Sequence, residues 1–238
     1  MKALILAAGR GERLSTVSPE KPKSLIEVHG RAIIEIIIGT ACAAGIHDFV
    51  IVTGFQKDAI PQRLGDGKRL GARIEYVHND RWHDLANGYS LHVARDRVGD
   101  EFLVMMSDHV FDAGLLRPLL AFPLPESGCV LLTDSRIERC FDLDDATKVR
   151  TDGQGVILDM GKHLQSYDCL DTGLFRASRA LLAAVAGCLA QGRSSLTDAN
   201  LALVGQRRMS ACMSRREDGD WFDLDTPQAL EDYSRRTR

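Results

Sequence analysis

Small residues and basic side chains follow the first apolar run of the chain. The run Ala3–Leu6 is followed by Gly9, Gly11 and Arg13, and then by Lys23. A short apolar run that ends in small residues is typical of a buried parallel strand, and the loop after such a strand lies where open α/β sheets hold ligands. Glycines let backbone N–H groups approach an anion, and the two cations add mobile positive charge. The pattern therefore predicts a polyphosphate site.

This motif differs from two common nucleotide-binding motifs. No Gly-Lys-Ser/Thr follows the glycines, and Leu14 stands where G-x-G-x-x-G requires its third glycine. An ordinary strand-to-loop turn with solvated basic residues is the alternative. Pro22 favours the functional interpretation, because it fixes its own φ and biases Lys21 toward an extended backbone. The two lysines around it are therefore presented rather than folded into a helix.

Carboxylates occur where a metal ion would suit them. The apolar segment Phe102–Met106 is followed by Asp108, and a hard carboxylate at the end of a strand suits Mg²⁺; a turn-capping role is the alternative. Further along, Asp223 and Asp225 share one face of an alternating strand, and paired carboxylates repel unless a cation lies between them. The second of these two could instead cap the helix that begins near Pro227, so Asp223 is the slightly favoured metal ligand.

Apolar runs alternate with helical patterns along the chain, which is typical of βαβ units. Residues 32–44 predict a buried helix with an αL cap at Gly45, since about 1.5 Å per residue gives roughly 20 Å, less than a ~30 Å hydrocarbon core. The other predicted helices cover residues 57–64, 87–95, 179–189, 195–204 and 227–233, with a short one after Arg117. The predicted strands cover residues 3–6, 48–52, 73–78, 102–106, 129–133, 171–175 and 221–225, with a hairpin over 147–160.

Composition limits the classes of protein that the chain can belong to. Its 238 residues suit a single domain covering 1–238, and a net charge of -3 argues against nucleic acid as a partner. The six cysteines are scattered without a C-x-x-C pair, which argues against a zinc site and a disulfide framework. No secretory signal or membrane span is evident, so we expect a cytoplasmic protein. The oligomeric state stays open, with a homodimer among the options.

Two segments together resemble the signature of the sugar-phosphate nucleotidylyltransferase superfamily. They are Leu6-Ala7-Ala8-Gly9-Arg10-Gly11-Glu12-Arg13-Leu14 and Lys21-Pro22-Lys23-Ser24-Leu25. The resemblance implies an α/β, doubly wound, Rossmann-like fold with a mixed, mostly parallel sheet. It also implies transfer of a nucleoside monophosphate from an NTP to a phosphorylated acceptor, with Mg²⁺ as the cofactor and pyrophosphate as the second product.

The resemblance also implies roles for individual residues. Arg13, Lys23 and Asp108 would be catalytic, with Asp108, Asp223 and Asp225 as metal ligands. The implied nucleotide-binding residues are Leu6, Ala7, Ala8, Gly9, Gly11, Asn79, Asn87, Gly88 and Ser107. The implied acceptor-binding residues are Lys148, Lys162, Asp171 and Asp144. We interpret His109 as structural or supporting rather than as a base, since a phosphate oxygen is already an anion at pH 7.

The segment Asn87–Leu91 resembles the Asn-x-Tyr-Ser-Leu segment of the cytidylyltransferases that act on alcohol phosphates. It implies CTP and a small phosphorylated alcohol as substrates, with 1L-myo-inositol 1-phosphate favoured. Phosphocholine is the close rival and a sugar 1-phosphate a further alternative. A quaternary ammonium requires an aromatic cage, and only Trp82, Tyr89 and Trp221 lie in segments expected near the site, whereas lysines and carboxylates suit a polyol phosphate.

Two other classes of protein compete with this interpretation. A dinucleotide-binding oxidoreductase would need a third glycine and an acidic residue after the second strand, but Leu14 and Thr53-Gly54 stand at those positions. A non-catalytic nucleotide sensor would require loss of Lys23 or of the metal carboxylates, and all of these are present. An enzyme is therefore the favoured class.

Overall fold

The computed structural model describes residues 1–14, 20–125 and 127–237. The helices are α1 (Ile33–Ala43), α2 (Ala59–Leu64), α3 (Gly88–Ala94), α4 (Leu116–Ala121), α5 (Arg179–Leu189), α6 (Leu196–Gly205) and α7 (Pro227–Arg236). The strands up to the middle of the chain are β1 (Lys2–Ala7), β2 (Glu27–Val28), β3 (Arg31–Ala32), β4 (Asp48–Thr53), β5 (Arg73–His78), β6 (Glu101–Met106) and β7 (His109–Phe111). The later strands are β8 (Cys129–Asp134), β9 (Lys148–Thr151), β10 (Ile157–Gly161), β11 (Cys169–Ser178), β12 (Met209–Met213) and β13 (Trp221–Asp223).

One mixed sheet of nine strands forms the centre of the molecule. Its strands β5, β4, β1 and β6 run parallel in that order, as expected from the βαβ pattern of the sequence. The long strand β11 then pairs antiparallel with β6, β8 and β9, and the hairpin β9–β10 forms one edge. The predicted α/β fold with a mixed, mostly parallel sheet is confirmed.

The alternation of β1 divides the core into two layers. Ala3 and Ile5 face the layer that contains α1, while Leu4 and Leu6 face the layer that contains α3, α5 and α6. Successive side chains of a strand point to opposite faces, so a strand buried on both sides is apolar at every position. After Lys2 at its start, the central strand therefore carries no polar side chain until it ends at the loop of the candidate site.

Helix α1 begins with a buried carboxylate. Glu35 is 2% exposed and accepts the backbone N–H of Ala32 at 2.9 Å, which caps the helix. The same carboxylate accepts two hydrogen bonds from Arg63, at 3.1 and 2.9 Å, and is paired with Arg69. These hydrogen bonds, those from Arg63 first, lower the pKa of Glu35 to about 2. The helix ends at Ala43, and Gly45 follows it with the left-handed φ of +88° predicted for the cap.

A small two-stranded sheet joins the two acidic segments of the sequence. Strands β7 and β13 pair antiparallel with His109 opposite Asp223, and the N–H of Leu224 donates to the carbonyl of Asp108 at 2.9 Å. The strand ends at Asp223 rather than at residue 225 as predicted. Backbone pairing between distant segments therefore brings the predicted metal ligands to one place.

The cap of α7 differs from one of the sequence interpretations. Thr226, not Asp225, is the N-cap, and its hydroxyl accepts the N–H of Ala229 at 3.1 Å. Pro227 is the first residue of the helix, as expected. Because threonine satisfies the helix end, the carboxylate of Asp225 remains available to other groups.

The described helices show no membrane span. Among residues 1–14, 20–125 and 127–237, none of the helices combines the length and apolar character needed to cross a bilayer. The apolar helix predicted over 32–44 is α1, and its side chains pack within the core.

The cap at Glu35 leads to a stability prediction. Glu35→Gln should lower the free energy of unfolding by about 2 kcal/mol at pH 7, because the amide keeps the cap acceptor but loses the charge that binds two arginines. A depressed carboxyl pKa stabilises the folded state above the unfolded pKa, and this stabilisation is lost as the pH falls toward the folded value. The difference between wild type and variant in urea unfolding should therefore shrink below about pH 4.5. An equal difference at every pH would contradict this.

Candidate active site

A cavity of about 360 Å³ lies beyond the carboxyl end of β6, next to the β7–β13 pair. Eight of the residues predicted from the sequence line it: Arg13, Lys23, Asn87, Asp108, Lys162, Asp171, Asp223 and Asp225. They come from separate parts of the chain, so the fold brings together groups that the sequence could associate only by resemblance. This is the edge of the sheet where open α/β folds hold ligands.

Two basic residues and three acids form a continuous set of ion pairs at the centre of the cavity. The ammonium of Lys23 contacts a carboxylate oxygen of Asp108 and lies 2.9 Å from Asp225. The guanidinium of Arg13 contacts Asp225 and lies 2.6 Å from Asp145. The groups predicted to hold a triphosphate are therefore adjacent to those predicted to hold a metal ion. Burial lowers the pKa of Lys23, but Asp108 and Asp225 raise it above its usual value.

The position of Lys23 depends on Gly11. Gly11 has φ +77°, and a Cβ built on it would lie 2.6 Å from the Cβ of Lys23. Pro22 is extended, with φ -52° and ψ 138°, and a short 3-10 turn begins at the lysine. The glycine therefore serves close packing of the loop against the lysine stem as well as backbone geometry.

The acids of the cavity fit a divalent cation. One oxygen each of Asp108 and Asp223 is buried without a hydrogen-bond partner. Carboxylate oxygens of Asp145, Asp223 and Asp225 lie within 4.8 Å of one another. Oxygen ligands in such a group suit Mg²⁺, and the orphaned oxygens are the acceptors that a cation would satisfy.

The two acids differ in their pKa values. Burial would raise the pKa of Asp108, but the Lys23 ammonium and His109 lower it to about 2. Burial raises the pKa of Asp223 to about 6, and the neighbouring acids Asp108 and Asp225 add to the increase. A cation bound between these carboxylates would relieve their repulsion.

His109 lies between the acids with its ring held from three sides. Its Nδ1 is 2.8 Å from the carbonyl oxygen of Thr172, and its ring stacks on Trp221 with centroids 5.6 Å apart. Gly173 has φ +76°, and a Cβ there would collide with the imidazole. The Nε2 atom lies 3.9 Å from Asp108 and 3.7 Å from Asp223.

Residues 6–11, at the end of β1 and the start of the loop that follows it, do not line the cavity. Leu6, Ala7 and Ala8 are buried, and the carbonyl of Ala8 accepts the N–H of Phe55 at 2.9 Å. A Cβ built on Gly9 would meet no atom within 4 Å. Their predicted role in holding the nucleotide therefore rests on the backbone beside open space, not on side chains in the cavity.

Several predicted nucleotide-binding residues have structural contacts instead. The amide of Asn79 is 1% exposed; it donates to Ser90 at 3.1 Å and accepts the N–H of Arg81 at 2.9 Å. A Cβ on Gly88 would lie 2.6 Å from the carbonyl oxygen of Ser194, so this glycine serves helix packing. Neither Asn79 nor Gly88 lines the cavity.

The remaining two predicted nucleotide-binding residues, Asn87 and Ser107, differ in whether they line the cavity. Asn87 lines the cavity while its Oδ1 accepts the N–H of Leu196 at 2.9 Å. Ser107 is buried just before Asp108 and is not a lining residue.

Two predicted acceptor residues, Lys148 and Asp144, do not line the cavity. The ammonium of Lys148 is buried and donates two hydrogen bonds, to the carbonyls of Leu143 and Lys162, at 2.8 and 2.7 Å. Asp144 is exposed and lies outside the cavity lining, where its neighbour Asp145 is found. The lysine anchors two loops, and the register of the irregular segment puts residue 145 inward.

The other two acceptor residues line the cavity as predicted. Lys162 pairs with Asp145. Asp171 accepts the N–H of Gly173 at 2.7 Å, and burial raises its pKa to about 6.

A network on the far wall of the cavity was not predicted. Arg136 lies 2.8 Å from Asp134 and 2.9 Å from Asp220, and the indole N–H of Trp221 donates to Asp134 at 3.1 Å. Arg139 also pairs with Asp220. In the sequence, only the many charged residues of 134–145 indicate such a network. Because these residues have no regular spacing, the sequence does not show which of their side chains point into the cavity.

Comparisons with known proteins agree with the fold and with the motif. Residues 2–128 match the family model described as nucleotidyl transferase. The chain is 31% identical over 229 residues to the "Bifunctional IPC transferase and DIPP synthase" of Aquifex aeolicus, covering 96% of this chain and 50% of that protein. A protein of the same name from Archaeoglobus fulgidus is 37% identical over 177 residues, covering 74% of this chain and 32% of its own. The chain thus spans about half the length, or less, of these curated relatives.

The fold is also similar to that of a solved structure. The inositol-1-phosphate CTP transferase from T. maritima superimposes with a TM-score of 0.84 at 23% sequence identity, covering 98% of this chain and 93% of that one. At this level of identity the similarity establishes the fold, and it agrees with the doubly wound architecture expected from the sequence.

The contact between Gly11 and Lys23 can be tested against Gly9. Gly11→Ala should lower the free energy of unfolding by about 1–3 kcal/mol, because the new methyl group meets the lysine stem on a backbone with positive φ. Gly9→Ala is the matched control, since its Cβ would point into open space, and its effect should stay within about 0.5 kcal/mol. Urea unfolding of both variants measures the difference, and equal effects would contradict the proposed packing role.

Proposed function

Because the chain belongs to the nucleotidyl transferase family, we propose that it transfers CMP from CTP to a small phosphorylated alcohol, with 1L-myo-inositol 1-phosphate as the preferred acceptor. The observation that carries the proposal is the set of ion pairs in which Arg13 and Lys23 meet Asp108 and Asp225 in one cavity. Such a site offers cations to a polyphosphate and carboxylates to its metal ion. The names of the relatives and of the structural neighbour support the choice of acceptor.

We assign the donor half of the site to the start of the loop after β1 and to Arg13 and Lys23. On binding of CTP, Arg13 and Lys23 exchange their carboxylate partners for oxygens of the triphosphate. At Gly9 the loop after β1 lies beside open space, and we assign the backbone from Leu6 to Gly9 to the base. Asn87 lines the same cavity at the start of α3.

The reaction is a substitution at phosphorus. An oxygen of the acceptor phosphate attacks the α-phosphorus of CTP, a new P–O bond forms, and the bond to the β-phosphate bridging oxygen breaks with release of pyrophosphate. Asp108 and Asp223, with or without Asp225, would hold Mg²⁺, which would neutralise charge at the phosphates. Lys23 and Arg13 stabilise the negative charge that develops on the departing pyrophosphate, and their positions are set before binding.

The acceptor half of the site is polar. Lys162 and Asp145 form an ion pair, and Asp171, on strand β11, also lines the cavity. A lysine suits the acceptor phosphate, and carboxylates accept hydrogen bonds from vicinal hydroxyls. The aromatic residues Trp221 and Phe141 also line the cavity, and they are the feature that would favour phosphocholine.

The proposed activity predicts the outcome of one substrate panel. Pyrophosphate release should require both CTP and inositol 1-phosphate when the four common NTPs are tested with and without that acceptor. Phosphocholine and glucose 1-phosphate serve as competing acceptors. Turnover with phosphocholine but not with inositol phosphate would overturn the acceptor assignment, and hydrolysis or binding without any transfer would overturn the proposed reaction.

A substitution at Lys23 tests the catalytic assignment. Lys23→Ala should reduce the rate of pyrophosphate release by about 10²- to 10³-fold, because it removes a cation positioned against developing charge. Lys21→Ala is the matched control: this lysine is exposed and does not line the cavity, so its rate should remain close to that of the wild type. Similar rates for both variants would exclude the assigned role of Lys23.

The different positions of Asp144 and Asp145 lead to a second pair of variants. Asp145→Asn should weaken turnover by about tenfold or more, because the carboxylate orients both Arg13 and Lys162. Asp144→Asn should have little effect, since that side chain is exposed outside the cavity. Steady-state rates at varied CTP and acceptor measure both variants, and a larger loss in Asp144→Asn would restore the sequence prediction.

A further inference from the structure

One imidazole nitrogen, Nε2 of His109, lies among the oxygens of the candidate metal site. We propose that His109 is a direct metal ligand through Nε2, together with Asp108 and Asp223, so that the site has a mixed nitrogen and oxygen ligand set. This inference rests on the proposed function insofar as that function requires a divalent cation. It goes beyond the carboxylate site expected from the family resemblance, which gave His109 no contact with the metal.

The hydrogen bond at Nδ1 determines which ring nitrogen is available to a metal ion. Nδ1 lies 2.8 Å from the carbonyl oxygen of Thr172. A carbonyl oxygen can only accept, so Nδ1 carries a proton, and the ring would bind a metal ion through Nε2 after loss of any proton on that atom. Histidines that bind metals commonly donate their other N–H to a carbonyl or carboxylate in this way. Nε2 is therefore the ring nitrogen that faces the acids.

Three contacts keep the ring in this orientation. Trp221 stacks on one face of the imidazole, and Gly173 lies so close that any side chain there would collide with it. The pairing of His109 with Asp223 across β7 and β13 fixes the backbone. A ring held this firmly is positioned before any ligand binds, which is what a coordinating group requires.

The ligand atoms are grouped within reach of one ion. Ligand atoms of Asp108, His109 and Asp223 all lie within 4.8 Å of one another. The oxygen of Asp108 that faces Nε2 at 3.9 Å has no hydrogen-bond partner, although the side chain is only 7% exposed. The other oxygen of the same carboxylate is held by Lys23. This buried oxygen of Asp108, which lacks a hydrogen-bond partner and faces an imidazole nitrogen, also indicates a cation at this position.

A nitrogen ligand has a consequence for metal selectivity. Imidazole suits transition metals, whereas Mg²⁺ prefers oxygen ligands. Sites with nitrogen and oxygen ligands generally bind Co²⁺ more tightly than Mn²⁺. We therefore expect the protein to bind Co²⁺ and Mn²⁺ more tightly than Mg²⁺. The competing arrangement is a protonated His109 that bridges the two carboxylates in place of a metal ion, and it predicts no coordination at all.

The test uses the full chain with Mn²⁺ alone. Pulsed electron paramagnetic resonance of the bound ion should show coupling to an imidazole ¹⁴N. His109→Asn keeps an amide donor for the Thr172 carbonyl and removes the ligand atom, while His109→Gln offers an amide oxygen near the position of Nε2. Both variants should lose the nitrogen coupling and at least about tenfold in Co²⁺ affinity, with a smaller loss of Mg²⁺ affinity in the glutamine variant.

His47→Gln is the matched control, because this exposed histidine precedes β4 at the opposite end of the sheet; it should keep the coupling. Bound Mn²⁺ without nitrogen coupling, coupling that persists in the His109 variants, or no binding of Mn²⁺ by the wild type would each overturn the inference. The substrate panel run on the same preparation separates the two proposals. Turnover without nitrogen coupling overturns the ligand assignment alone, and coupling without turnover overturns the proposed function alone.

Discussion

The mutual attraction of Lys23 and Arg13 with Asp108 and Asp225 is the interaction on which the site depends. Several carboxylates gathered in a partly buried cavity would repel one another strongly unless cations lay among them. The glycine at position 11 lets Lys23 come close, and the β7–β13 pair delivers the acids from the other end of the chain. Local backbone geometry and long-range strand pairing thus serve one electrostatic requirement.

The two halves of the proposed site lie on different parts of the sheet, the donor half on the parallel strands and the acceptor half on the antiparallel strands. The parallel strands β1 and β6 end at the segments that carry Arg13 and Asp108 of the proposed site. In the antiparallel part of the sheet, Lys162 directly follows β10, and Asp171 lies on β11. Donor recognition is therefore built on a frame that matches the family model over residues 2–128, whereas acceptor recognition lies mainly on later strands.

The sequence was most informative where periodicity or a local motif carried the signal. The apolar run of β1, the helix α1 and its cap at Gly45 followed from patterns within a few residues, and Arg13, Lys23 and Asp108 followed from a motif. Asp145 was missed and Asp144 chosen, because the segment 134–145 has no repeating pattern to show which side chain points inward. The role of Lys148 depends on two carbonyls brought near by the hairpin, and such tertiary contacts leave no trace in residue spacing.

The buried ammonium of Lys148 also bears on how such a site can diversify. It binds the backbone carbonyls of Leu143 and Lys162, so that it fastens two surface loops through atoms every residue type possesses. Side chains between these anchor points can then be exchanged while the path of the backbone is retained. Point substitutions in these loops can therefore change the substrate preference of the proposed acceptor half. The backbone of the nucleotide-binding half does not have to change.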